Sequence, residues 1–399
     1  MDPRLKAIYL AAIAVGVFFL PRWWMVAAVL GIQLVLWFAV RLSVGQLVRQ
    51  VSKLALFLAV IQIAYSLVTN DPATDRWQTL DLLSFEIDVN VTGAVYGFTM
   101  VLRVLTVVIT SQVVRAGDPR ALAAGLGKLG VPKVAALSID AVLVLLGSRG
   151  KGGGGRGKGG GRHGGGGRGK GEREGADTPA GFWASLKRLA RGDVGAIVDM
   201  LRTQQMRVQQ HLDEVDPEGS EAFKKDVAVI AAIALTMLGI KMLKLLPGLP
   251  FAPGHKGVIL IPLYFVAGFT TRSRAGSTLT GLTFGAVAFL LGDGRYGVFE
   301  IAKHVAPGVL VDLFGPLLRV GGKTRGILWW AGLGLVVALG RFATITAIAL
   351  VVQAPALVYA FLLPGLAIHA TFGVLSGLVS APLMRALTRR GMLDGSLGP

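Results

Sequence analysis

Apolar residues in this chain come in long unbroken runs separated by short charged stretches, with neither strict alternation nor a single helical stripe. Four runs stand out in the first part, at about 5–20, 24–42, 51–69 and 92–114. Six more occur later, at about 225–246, 257–270, 277–291, 298–318, 327–352 and 355–380. Coiled as helices, runs approaching about 20 residues match the hydrocarbon thickness of a bilayer. The pattern predicts an all-α integral membrane protein with about ten transmembrane helices, four plus six. Residues 134–147 are apolar but short and carry Asp140, which predicts a partly buried or interfacial helix. Over 178–222 the apolar positions Phe182, Leu186, Leu189, Ile197, Leu201, Val208 and Leu212 take helical spacing among charges, which predicts amphipathic helices outside the bilayer.

The joint between the fourth run and the segment after it has its own grammar. Asp118 stands where an N-cap belongs and Pro119 at the first helical position, where its missing N–H costs nothing. Leu122, Leu126 and Leu129 then form a one-sided stripe, Gly130 can end the helix, and Pro132 prevents its continuation. A membrane span that leads directly into an amphipathic helix passes contact from bilayer to cytosol.

Charge orients the runs. Of the 399 residues only 16% are charged, yet the net charge is +18, and the mean hydropathy is +0.62. Arg41, Arg49 and Lys53 follow the second run, and Arg115, Arg120, Lys128 and Lys133 follow the fourth, whereas 70–90 carries Asp71, Asp75, Asp81, Glu86 and Asp88 against Arg76. The excess of Lys and Arg on the inner side puts 70–90 outside and both chain ends in the cytoplasm of a bacterial-type inner membrane. Lys224, Lys225, Arg272, Arg274, Arg319, Lys323, Arg325, Arg385, Arg389 and Arg390 fit the same rule in the second half. The segment 150–171 is almost entirely Gly with Lys and Arg, too poor in apolar groups to offset its ordering entropy, and predicts a flexible basic loop near anionic lipid. It lacks the aromatic residues that stack on bases, so no nucleic-acid partner is expected.

The chemistry that the chain excludes is informative. There are no cysteines, which removes disulfides, thiolate metal sites and cysteine nucleophiles. No phosphate-cradling Gly-x-x-x-x-Gly-Lys-Ser/Thr run, zinc-protease motif or nucleophile elbow occurs, so no catalytic residue, metal site or bound cofactor is expected. There remain polar groups within apolar runs, which are costly enough to suggest function. Arg341 and His369 lie mid-run, and Glu300, Lys303 and His304 share one helix face. With His255 in the outer stretch 247–256, these are the candidate substrate-binding residues; an internal Glu300–Lys303 pair, with Arg341 satisfied by helix carbonyls, is the structural alternative. Arg103, Thr99, Thr106 and Asp312 read as residues that hold helices together.

The run Arg103, Thr110-Ser111, Asp118-Pro119, Leu122, Leu126 and Leu129-Gly130-Val131-Pro132 resembles the transmembrane (T) component of energy-coupling factor transporters, which are ABC-type importers of vitamins and metal ions. The resemblance implies that Ala190-Arg191-Gly192 docks into an ATPase subunit, with Ser148-Arg149-Gly150 as a degenerate second copy and Arg120 on the coupling helix beside them. The second half resembles the substrate-binding (S) component through Lys244-Leu245-Leu246-Pro247-Gly248, Pro253, Gly281, Gly285, Gly292-Asp293-Gly294, Pro307-Gly308 and Asp312. Ala228 and Ala232 would then dock S on T, since small residues four apart let helices approach closely.

The resulting organisation is 1–147 T-like, 148–177 the glycine-rich insert, 178–222 the coupling helices and 223–399 S-like. The function implied is a membrane subunit that binds a small vitamin-like solute or metal ion and is driven by ATPase subunits, two copies or a heterodimer, which carry the ATP and Mg. The alternatives are a secondary transporter of a small anionic solute and, further off, a membrane-embedded lipid-modifying enzyme.

Overall fold

The computed structural model describes residues 2–68, 73–82, 85–116, 120–151, 188, 191, 193, 195–242, 256–291, 298–320, 323–324, 326–352 and 355–392. The expected Asp118–Pro119 cap, the glycine-rich segment from 152 on, the helix expected over 178–187, Ala190, Gly192 and His255 lie outside the described residues. The first part holds α1 (Pro3–Gly16), α2 (Trp23–Ala39), α3 (Val44–Leu67), a hairpin of β1 (Trp77–Leu82) and β2 (Phe85–Asn90), α4 (Val91–Arg115), α5 (Arg120–Lys128) and α6 (Lys133–Lys151). The second holds α7 (Gly195–Val215), α8 (Glu221–Met242), α9 (Gly257–Thr270), α10 (Gly276–Leu290), α11 (Phe299–Phe314), the short strands β3 (Arg319–Val320) and β4 (Lys323–Thr324), α12 (Ile327–Val352) and α13 (Pro355–Arg389). The all-α class stands.

Local chemistry sets the helix ends. Asp2 accepts from the Arg4 N–H, with Pro3 opening α1. Ser43 and Gln46 form a reciprocal capping box that starts α3 seven residues before the apolar run does. Asn90 caps α4 by accepting from the Gly93 N–H at 2.9 Å. Gly130, at φ +94°, ends the chain's turn out of α5, and the Val131 N–H returns to the Leu126 carbonyl.

Ten spans were expected, but among the described residues four helices are long and apolar enough to cross a membrane, or five if the bent α3 is one span. The four are α4, the stretch Ile301–Leu318, and the bodies of α12 and α13. Helices α9 and α10 have 14 and 15 residues, roughly 21–23 Å at 1.5 Å per residue against about 30 Å of hydrocarbon. Their apolarity has another cause: nine of the 14 residues of α9 and 13 of the 15 of α10 are buried inside protein. A helix that is apolar all round signals burial, in protein or in lipid.

The acidic stretch read as an outer loop contains an antiparallel hairpin that pairs Trp77 with Asn90 through to Leu82 with Phe85. Thr79 donates to Asp88 across it at 2.7 Å. Thr99 and Thr106 do not hold helices together. Their hydroxyls donate to the Val95 and Leu102 carbonyls of their own helix. Arg103 and Asp312 do bridge elements: Arg103 donates to the Leu20 carbonyl between α1 and α2 at 2.8 Å, and Asp312 on α11 accepts from the Ser277 and Thr278 N–H groups at the start of α10.

One apolar core runs from Ala7 through Ile139, Val208 and Ile230's neighbours on α8 to Leu387. Helix α6 is the joint. Its Ala135 packs with Ile230 of α8 and Leu279 of α10, and the Ser138 hydroxyl lies 3.4 Å from the Val227 carbonyl. Helix α4 adds a second contact, with the Ser111 hydroxyl 3.3 Å from the carbonyls of Phe289 and Leu290. Helices α12 and α13 approach so closely that a Cβ on Gly377 would lie 2.0 Å from the Trp330 carbonyl oxygen. Gly377→Val is expected to part these helices and cost about 1–3 kcal/mol or more, read as a clear drop in melting temperature in detergent. Gly332→Ala, with open space at its Cβ position, should leave the melting temperature unchanged.

Candidate functional site

Helices α9, α11, α12 and α13 bring four buried polar side chains together in the second half. Tyr264, 2% exposed on α9, has its hydroxyl 3.5 Å from His304 Nδ1. The His304 ring sits edge-on to Phe284, with centroids 4.3 Å apart. Arg341 of α12 is buried at 8% exposure, within electrostatic reach of both Tyr264 and His369. Its guanidinium lies against the first residue of α9, since a Cβ on Gly257 would meet Nη1 at 3.9 Å.

His369 completes the group from α13. Its Nδ1 lies 2.8 Å from the Gly365 carbonyl; a carbonyl only accepts, so Nδ1 carries the proton and Nε2 presents a lone pair. Nε2 is buried and finds no hydrogen-bond partner among the described residues. Arg341, His369, Gly257, Ile261, Ala338 and Gly373 line a tight crevice with no room for a water-sized group, so a ligand's charged group enters only if α9, α12 and α13 part.

Among the described residues the charges at this spot have one sign. The N-terminus of α9 has no side-chain cap among the described residues, and a helix N-terminus carries the positive end of the helix dipole. Lys256, just before it, spends its ammonium on the Lys241 carbonyl at 2.8 Å. A guanidinium beside a helix N-terminus is a combination that attracts an anion.

Of the residues expected from sequence, the structure gathers His304, Arg341 and His369 around Tyr264. Lys303 stands half-buried at the flank of α11, and Glu300 lies one turn earlier on the same helix, its side chain beyond what is described. Tyr264 is an addition that the sequence did not single out. Its signal was present as the one side-chain hydroxyl in the body of an otherwise apolar helix, GVILIPLYFVAGFT, ahead of the terminal Thr.

The expected coupling residues form a second region. Arg191 is exposed in a turn, its N–H bonded to the Arg188 carbonyl. Arg188 is committed: it pairs with Asp193 at 2.7 Å and Asp199 at 3.3 Å. Arg390, past the end of α13, pairs with Asp199 as well, tying the C-terminal region to α7. Arg120 and Arg149 lie on α5 and α6, their side chains outside the described set. Gly125 of α5 packs against the Pro3 carbonyl, and Leu126 packs on the core. Leu129 is 46% exposed, so the expected stripe is not buried as a unit. Ala228 and Ala232 are fully buried on α8, the helix that receives α6.

The Arg188 hydrogen bond, with its charge, holds the Asp193 carboxyl below its ordinary value, and the same contact raises Arg188. A carboxyl depressed in the folded state stabilises above its unfolded pKa, and that contribution disappears as pH falls through the lower folded value. The Asp193 contact is therefore expected to persist down through the ordinary carboxylate range and to open only below it. Carboxyl chemical shifts followed against pH check this; titration at or above the ordinary value would contradict it.

Among the described residues no three His, Asp or Glu side chains stand together as a metal site. Residues 1–146 match the family model described as CbiQ, cobalt transport protein. That range takes in α1 to α5 and most of α6, and stops short of α7. No curated protein and no solved structure matches the chain at a significant level.

Proposed function

We propose that the chain is the membrane subunit of an energy-coupling-factor importer, with a T-like part in residues 1–146 and a solute-binding part in α8–α13. The observation that carries this reading is the joint between them. The family-matched segment ends on α6, and α6 is the helix that packs onto α8 and α10 through Ala135 and Ser138. A coupling part built into the wall of a solute-binding bundle can pass a conformational change to it directly.

The solute is a small organic anion, held by a carboxylate or phosphate at Arg341 and the α9 N-terminus, with the Tyr264 hydroxyl as a neutral donor. Cobalt belongs to the matched family's description, but a bare divalent cation at Arg341 would face a like charge in a low-dielectric site. ATPase subunits in trans supply the energy, since the sequence has no phosphate-binding loop.

The test is uptake of labelled carboxylate and phosphate vitamins into proteoliposomes that hold the full chain, with and without ABC ATPase subunits from the same source. Uptake of an anionic solute that requires ATP is expected. Uptake driven by an ion gradient without ATPases would replace this reading with secondary transport.

A further inference from the structure

A groove of about 290 Å³ runs between α7 and α8, closed at its ends by the last turn of α9 and by the residues after α13. Its floor is apolar, formed by the buried side chains of Leu201, Val229, Ile233 and Val266. Its rim carries Arg202, Lys225 and Arg390, the last paired with Asp199, and among the described residues no Asp or Glu lines it. Arg202 and Lys225 are exposed and make no ion pair among the described residues. Lys224, next in sequence, is oppositely disposed: buried, with its ammonium on Asp213 and the Pro217 carbonyl. The chain thus neutralises one of two adjacent lysines internally and leaves the other at the groove.

We infer that this groove binds an anionic phospholipid. An apolar floor beside a cationic rim has the two-part chemistry of a lipid, with acyl chain along Leu201 and Ile233 and phosphate between Arg202 and Lys225. A free phosphate would leave the apolar floor uncovered, and a zwitterionic headgroup would bring a cation to a rim whose Arg202 and Lys225 make no ion pair among the described residues. Basic clefts between helices at the inner membrane face are suited to anionic headgroups, each cation contributing about 1 kcal/mol. The site is separate from the Arg341 crevice, and its test does not depend on transport.

The chain has no cysteine, so Met206→Cys, at a groove residue that is 54% exposed, gives a unique position for a polarity-sensitive fluorophore. The full-length labelled protein in detergent is titrated with dihexanoyl phosphatidylglycerol, dihexanoyl phosphatidylcholine and glycerol 3-phosphate. The glycerol lipid is expected to shift the emission at a concentration at least roughly tenfold below that of the choline lipid, with no response to glycerol 3-phosphate. Adding Arg202→Gln and Lys225→Gln is expected to weaken the glycerol-lipid response roughly thirtyfold and leave the choline-lipid response as it was. Equal responses to both lipids overturn the proposal. So does a glycerol 3-phosphate response that matches the lipid, which would mark a phosphate site. A response to an added ATPase subunit and to neither lipid would make the groove a protein interface and likewise overturn it. If the double substitution fails to fold, the contrast between lipids on the Met206→Cys protein alone decides.

Discussion

Arg341→Met is expected to cripple binding of the anionic solute, lowering affinity at least about thirtyfold, while the protein still folds and inserts. Methionine keeps most of the side-chain stem and removes the charge. The guanidinium stays ionised at any relevant pH, and it sits at 8% exposure against the N-terminus of α9. A bound carboxylate would be desolvated there. Losing its cationic partner costs about 2–5 kcal/mol, the equivalent of roughly thirtyfold to several-thousandfold in affinity. In the empty protein methionine removes the cost of burying the charge together with the contacts that Arg341 makes there. Tyr264→Phe should act in the same direction and less strongly, since it keeps the ring beside His304 and deletes one hydroxyl. Solute affinity and melting temperature measured on one preparation separate the roles. A variant with lowered melting temperature and unchanged affinity would make Arg341 a structural residue.

The positions of the helices were largely legible, and their relation to the bilayer was not. Lys256 and Arg272 bracket α9, and Arg325 and Pro355 bracket α12, so closely that the apolar runs 257–270 and 327–352 coincide with the helices. The same runs do not say what surrounds them. Burial of α9 and α10 among other helices demands the same composition as a bilayer does, so an apolar run overcounts spans. The start of α3 was hidden because its first turns, VGQLVRQ, are polar, and only the Ser43–Gln46 box marks them. The hairpin was hidden for a related reason: β2 alternates as FEIDVN, but its acidic residues drew attention to charge before periodicity.

The site was legible as a set of residue types and not as a geometry. Arg341, His304 and His369 were conspicuous because ionisable groups are costly in apolar runs. Nothing in the linear order shows that α11, α12 and α13 place them around one tyrosine of α9. Thr99 and Thr106 mark the opposite failure. A hydroxyl in a helix can satisfy itself on the carbonyl four residues back, so its presence in an apolar helix carries little information about neighbours.

Arg191→Glu is expected to abolish co-purification with ATPase subunits and to leave membrane insertion and melting temperature unchanged. The contrast with Arg188 carries the argument. Arg188 is held by Asp193 and Asp199, and Arg390 shares Asp199 from the far end of α13, so these charges are spent inside the protein. Arg191 is exposed one turn on, with no side-chain partner among the described residues. A guanidinium in that position presents its fork of donors to whatever docks there, and a carboxylate-lined groove is its natural complement. Reversal to glutamate sets like charges against each other and discriminates more strongly than neutral truncation. Arg188→Gln should behave differently: it releases Asp193 and Asp199, returns the Asp193 carboxyl towards its ordinary pKa, and weakens the hold of Arg390's segment on α7 indirectly. Pull-down of the ATPases with each variant checks the pair. Full co-purification by Arg191→Glu, or equal loss with Arg188→Gln, would remove Arg191 from the coupling surface.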